Sequence, residues 1–277
     1  MNTLVAMLLV AVAGQEDATP TPPAPAQQPP LPAALAPAPK PQAREVYDVH
    51  LAIDIPLIVV GGAAGLGRIL FEDKLVRKRC PCDPAGINGL DRWAVGYHSE
   101  AASITADATV YSVLSVLPLV DLFALGFGRA WGEDLVVYVE ALAVDTALQN
   151  ATNFAVARPR PRTYAGDPAF VKSGEGYLSF YAGHVSTAFA GVMAAAYTIR
   201  KRYGEKVWPW IVGALIASSV AVERVASGHH FPTDVAVAAV IGTGIGIAVP
   251  WLHLRRWDTH VQITPVGAHG LGLTGTF

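Results

Sequence analysis

The sequence predicts an all-α fold, a polytopic membrane bundle of about six transmembrane helices, and three observations predict it. Of its 277 residues, 52% are hydrophobic and only 15% charged, with a mean hydropathy of +0.36. Soluble domains carry about 25% charged residues. From Leu51 onward, apolar runs recur that approach the roughly 20 residues a helix needs to cross a bilayer. Those runs show almost no polar face, which a soluble helix requires.

Residues 1–13 (MNTLVAMLLVAVA) are short, apolar and end in small residues, the pattern of a cleavable signal peptide with Ala11-Val12-Ala13 at the processing site. Residues 14–45 are rich in Pro and Ala, cannot build a packed core, and are expected to form a disordered linker. Residues 46–256 are expected to form the membrane-embedded domain, with candidate spans at 51–70, 102–125, 135–157, 185–199, 207–222 and 235–254. Residues 257–277 form a tail that alternates and is glycine-rich, with no chemistry to assign. Cys80 and Cys82 are the only cysteines. Their spacing leaves a local disulfide or two unpaired thiols, and two thiols alone make a poor zinc site. The formal net charge of -2 gives no ground for a nucleic-acid partner. Nothing in the sequence fixes an oligomeric state.

Three polar clusters interrupt this apolar pattern: NFAVARPRPR at 153–162, SFYAGH at 179–184 and ERVASGHHFPTD at 223–234. In the last, Pro232 suits the first turn of a helix. His230 then stands just before that helix and Asp234 within its first turn, near enough for a hydrogen bond. A carboxylate on one ring nitrogen would fix the tautomer and leave the other nitrogen as a nucleophile. Arg224 closes the preceding helix, and its planar fork matches two oxygens of a phosphate. His184 follows Gly183 at a helix start, where free backbone N–H groups favour an anion and a histidine can exchange protons with a leaving group. Arg158, Arg160 and Arg162 alternate with Pro159 and Pro161 in a stiff cationic loop from which proline excludes helix. Singly, each cluster reads as structural histidine or as arginine reaching for lipid headgroups. Jointly, at one end of the bundle, they point to binding and cleavage of a phosphate at a membrane surface.

In order and spacing these residues resemble the type 2 phosphatidic acid phosphatase and vanadium haloperoxidase superfamily, in its membrane lipid-phosphate phosphatase branch. Arg160-Pro161 fit its first motif, Gly183-His184 its second, and Arg224, His230 and Asp234 its third. The resemblance implies a phosphohistidine on His230, Asp234 as its orienting partner, His184 as acid/base, and a phosphate clamp of Arg160 and Arg224 with Gly183. It implies catalysis without a metal or other cofactor, and a phospholipid or isoprenoid phosphate as substrate in the bilayer. The chain departs from the pattern at Asn153, where the family has lysine, at Tyr181 and Ala182, where it has Pro-Ser, and at Glu223, where it has serine. Asn153 still offers a neutral donor, and Arg158, Arg162, His229 and Tyr181 are candidate accessory phosphate contacts.

Two further readings stand beside this one. A catalytically impaired lipid-phosphate binding or scaffold protein fits the missing lysine and serine. A metal hydrolase would use His184, His229, His230 and Asp234, but adjacent histidines rarely converge on one ion. Glu140 and Asp145, on one expected span, are functional candidates by default or structural glue, with Asp145 paired to an arginine. The basic residues at 200–206 and 255–256 lie opposite the clusters and by the positive-inside rule put the clusters on the outer face, in a bacterial inner membrane the periplasm. The basic stretch at 74–79 falls on the same side as the clusters and opposes this.

Overall fold

The computed structural model describes residues 46–255 and two short strands at 261–266 and 270–275. The expected signal peptide at 1–13 and linker at 14–45 lie outside the described residues. Six long helices build the bundle: α1 (Leu51–Leu75), α2 (Glu100–Leu125), α3 (Arg129–Val156), α6 (Gly183–Tyr203), α7 (Trp208–Ala226) and α8 (Pro232–Leu252). Two short ones, α4 (Pro161–Tyr164) and α5 (Pro168–Lys172), lie in the loop between α3 and α6. The tail contributes the strands β1 (Val261–Val266) and β2 (Gly270–Gly275), which pair antiparallel with Val261 opposite Gly275.

Local chemistry sets the helix ends. Ser99 caps α2 by accepting the Ala102 N–H at 3.2 Å, and Gly126 ends the helix at φ 73°, a conformation that suits glycine. Asp54, in the first turn of α1, accepts the His50 N–H at 2.8 Å. At the start of α8, Asp234 accepts the Phe231 N–H at 3.0 Å.

Among the described residues four helices, α1, α2, α7 and α8, are long and apolar enough to cross a membrane. They carry bare apolar side chains such as Ile69, Phe123, Leu215 and Val240. A surface of this kind is unstable in water and is ordinary contact area in a bilayer. The chain is an integral membrane protein. The other two expected spans differ for a physical reason. The buried face of α3 holds Glu133, Asp134, Glu140 and Asp145, and α6 is buried along most of its length against α2, α3, α7 and α8. The composition of α3 and α6 is therefore that of protein-facing helices rather than lipid-facing ones.

The interior acids of α3 hold neighbouring helices. Asp134 takes two hydrogen bonds from Arg202 of α6, at 2.6 and 2.5 Å. Asp145 accepts the hydroxyls of Ser186 at 3.0 Å and Thr187 at 2.9 Å, so its partners are hydroxyls of α6 and not an arginine.

The contact between α6 and α8 positions the site. A Cβ at Gly242 would overlap the Ser186 carbonyl, and one at Gly246 would overlap the Ala190 carbonyl. These glycines let the two helices meet backbone to backbone. Both helices start at the same end of the bundle, one at His184 and the other just after His230. Cys80 and Cys82, after α1, form a disulfide. The Cys80 N–H donates to the Tyr177 hydroxyl at 3.3 Å, which ties this loop to the one that carries the second cluster.

Candidate active site

A cavity of about 500 Å³ opens at this end, lined by Arg160, Gly183, His184, Arg224, His229 and His230 among others. Each side chain reaches it by a different route. The chain leaves α3 through Ala157 in a left-handed turn (φ 46°) and enters the Arg-Pro loop. Pro161 opens α4, which leaves Arg160 as its cap, buried at 4% exposure. The Arg160 backbone N–H donates to the Gly176 carbonyl at 2.8 Å, and its guanidinium pairs with Glu175 at 3.0 Å. Burial pushes its pKa down to about 10, with Glu175 opposing and Arg68 and Arg224 adding to the fall, so it stays cationic at neutral pH.

His230 is buried, and its Nδ1 lies 2.7 Å from the Ser179 carbonyl oxygen. A carbonyl can only accept, so Nδ1 carries the proton and Nε2 keeps its lone pair. Burial, with Arg160 and Arg224 close by, holds the ring well below the ordinary histidine value and therefore neutral. His229, beside it, contacts Ser227 Oγ at 2.9 Å, and burial with the same arginines pushes it down to about 2.

The expected hydrogen bond between His230 and Asp234 is not formed; the closest approach is 4.0 Å. The Asp234 carboxylate is already engaged. It accepts from Ser179 Oγ at 2.6 Å, from the Phe231 N–H at 3.0 Å and from Arg158. Asp234 thus fixes the loops that hold His230 and does not touch the ring.

Four other expected contacts also turn away from the cavity. Asn153 donates both amide hydrogens to backbone carbonyls, of Gln149 and Tyr181, each at 3.0 Å. Arg158 bridges Asp91 at 2.8 Å, Thr233 at 3.0 Å and Asp234. Arg162 pairs with Asp167 at 2.7 Å and stacks over Phe170. Tyr181 is fully buried in the apolar core between α2, α6, α7 and α8.

Residues not singled out in the sequence take part instead. Asp107 of α2 contacts His184 Nε2 at 3.0 Å and Arg224 at 2.5 Å, and so links the two clusters. Arg68 of α1 lines the cavity with Gln149, Asn150 and Glu175. It is held by Glu72 at 3.3 Å and Asn150 at 3.5 Å. The one available signal for these two was a charged residue inside an apolar run. It did not stand out because neither lies in a motif.

The cavity therefore combines three guanidiniums, neutral imidazoles and the N-terminus of α6 with an apolar wall of Ile69, Val110 and Leu114. That arrangement can hold a tetrahedral anion whose organic substituent lies toward lipid.

No curated protein matches the sequence. Aquifex aeolicus LpxE is similar in structure, with 24% identity, 57% of this chain and 90% of that chain covered, and a TM-score of 0.40. The transmembrane PAP2 type phosphatidylglycerolphosphate phosphatase from Bacillus subtilis is similar at 17% identity, 72% and 94% coverage, and a TM-score of 0.45. The family model of the PAP2 superfamily matches residues 134–258, the stretch that carries all three clusters. Over those residues the chain is similar to the PAP2 superfamily.

Proposed function

We propose that this protein is a membrane phosphatase that hydrolyses a lipid phosphomonoester or pyrophosphate through a phosphohistidine on His230. The observation that carries the reading is the gathering of His184, His230, Arg160 and Arg224 around one cavity with an apolar wall. Arg160, Arg224 and Arg68 neutralise the phosphate oxygens, with Arg68 standing in for the cation that Asn153 does not provide. Nε2 of His230 attacks phosphorus, and the bond from phosphorus to the lipid oxygen breaks. His184, which the bound anionic phosphate brings to its protonated form, gives that oxygen a proton and returns to neutral. His184 then takes a proton from water, the resulting hydroxide attacks phosphorus, the P–N bond breaks, and inorganic phosphate leaves. Positive charge fixed around the anion favours the transition state over the bound ester as charge builds on the equatorial oxygens.

The substrate is a phospholipid or isoprenoid phosphate that enters from the bilayer past Ile69, Val110 and Leu114. The location that fits best is a bacterial inner membrane with the cavity toward the periplasm. The Cys80–Cys82 disulfide supports this, because such bonds persist in oxidising compartments and this one lies at the cavity end. The basic residues in the last turn of α6 lie at the opposite end, the side that the positive-inside rule gives to the cytoplasm. The basic stretch at 74–79 runs against that rule and is partly neutralised by Asp73, which pairs with Lys78 at 3.3 Å.

Phosphate release from dioleoyl phosphatidic acid, phosphatidylglycerophosphate and undecaprenyl pyrophosphate by the purified protein tests the reading. Release on at least one of them is expected, and His230→Ala should abolish it. A lipid-phosphate binding protein of the same fold is the second reading, favoured by Asn153, whose amide is spent on backbone, and by Ala182 in place of a hydroxyl. Tight binding of these lipids with no turnover of any would establish it.

A further inference from the structure

At the other end of the bundle, three side chains from three helices converge: Asp54 from α1, Glu140 from α3 and His253, just after α8. One ligand atom of each lies within 4.8 Å of the others. His253 Nε2 is 3.4 Å from Asp54 Oδ1 and 3.3 Å from Glu140 Oε2. A four-coordinate zinc with ligands at about 2.0–2.1 Å has edges of about 3.3–3.4 Å between them, which is the spacing seen on both sides of the imidazole.

The protonation pattern sharpens the point. His253 Nδ1 lies 2.9 Å from the Val249 carbonyl oxygen, so Nδ1 bears a hydrogen and Nε2 faces the two carboxylates. An imidazole that donates one N–H to a backbone carbonyl and aims the other nitrogen at a cation is the usual arrangement of a metal-bound histidine. Asp54 is held in the same way: its Oδ2 accepts the His50 N–H at 2.8 Å, which leaves Oδ1 for the site. Glu140 supplies the independent observation. Its side chain is 5% exposed, and Oε2 is buried without a hydrogen-bond partner while pointing into the cluster.

Charge gives the same answer. A protonated His253 carries one positive charge against two carboxylates, and its single Nε2–H can serve only one of them. The cavity these groups line, with His50 and Asp48, contains no Lys or Arg among the described residues. A divalent cation balances both carboxylates and leaves the imidazole neutral, as a ligand must be. The nitrogen donor beside two oxygens favours zinc over magnesium or calcium, which take oxygen sets.

We infer that Asp54, Glu140 and His253 form a zinc site that clamps α1, α3 and α8 at the face opposite the phosphate cavity. The site is separate from the chemistry: α8 runs from His230 to His253 over 21 helical residues, about 30 Å. It tethers α1, the helix that carries Arg68 into the cavity.

The test uses untagged full-length protein in detergent, stripped with EDTA, reloaded with zinc, and desalted before metal analysis. About one equivalent of zinc should remain on the wild type and under a tenth on Glu140→Gln and His253→Gln. Zinc at about 100 times its Kd should raise the wild-type Tm by about 5–10 °C and leave the variants unmoved. Cobalt loaded on the wild type alone should give the visible absorption of a four-coordinate site, a readout that needs no variant to fold. No retained zinc with no cobalt spectrum would overturn the inference and leave an imidazolium ion pair. Equal zinc on wild type and variants would overturn it too, by placing the metal elsewhere.

Discussion

His230 is oriented by the backbone of Ser179, whose carbonyl oxygen lies 2.7 Å from Nδ1, while the nearest Asp234 oxygen is 4.0 Å away. The proton that fixes the tautomer is therefore held by main chain, and Asp234 acts one step removed, through Ser179 Oγ and Arg158. Asp234→Asn should lower stability by about 1–3 kcal/mol, the cost of breaking a buried charged hydrogen bond. It should reduce kcat about tenfold, whereas His230→Ala reduces it by three orders of magnitude or more. Rate assays and thermal melts on both variants check this. An unchanged Tm with activity as low as in His230→Ala would put the carboxylate on the ring after all.

Acid should destabilise the protein in a window set by histidine. His230 and His229 are both held well below 6.5 in the folded state and return to about 6.5 on unfolding. Below pH 6.5 the unfolded chain binds more protons than the native one, so stability falls with pH, by up to about 1.4 kcal/mol per pH unit for each such ring. Melts between pH 7 and 4.5 should show a declining Tm, with a shallower slope in His230→Ala. The carboxylates with depressed values, Asp91 and Asp167, contribute their own loss only below this window. An equal slope in the variant would mean that His230 does not stay neutral in the fold.

Arg68→Ala should weaken substrate binding. One charge-assisted contact to a phosphate is worth about 1.5–3 kcal/mol, so KM should rise at least about tenfold. Arg68→Lys, which keeps the charge, should recover much of it. Steady-state kinetics on the substrate with the highest turnover decide the matter, and an unchanged KM would remove Arg68 from the anion grip.

Asn153→Ala should separate structure from binding. Its amide joins α3 to the loop before α6 through the Gln149 and Tyr181 carbonyls, inside a fully buried setting. Loss of these bonds should cost about 1–3 kcal/mol of stability and leave KM unchanged. A raised KM at unchanged Tm would return Asn153 to the phosphate.

Much of this architecture was legible in the chain because it is written in local signals. The apolar runs gave the long helices, and Pro232 and Gly183 marked the starts of α8 and α6 beside their histidines. Arg160 and Arg224 reach the cavity as their spacing suggests. What was hidden depends on partners distant in sequence. Arg158 and Arg162 share the loop of Arg160, yet Asp91 and Asp167 draw them elsewhere. Asp107 and Arg68 sit inside apolar helices, and only the packing of α1 and α2 against the later helices brings them to the site. The distinction between lipid-facing and protein-facing helices lay in composition, in the four interior acids of α3, and was masked by apolar runs of span length on either side of them.

Gly242 and Gly246 bring α8 against the Ser186 and Ala190 carbonyls of α6. At Gly242 the facing atoms are main chain alone, and such a contact has no rotamer to change. The gap between His184 and His230 is thus gauged by peptide geometry. Drift of the greasy outer residues, or a switch to a host membrane of other thickness, alters how the protein sits in lipid and leaves that gauge untouched.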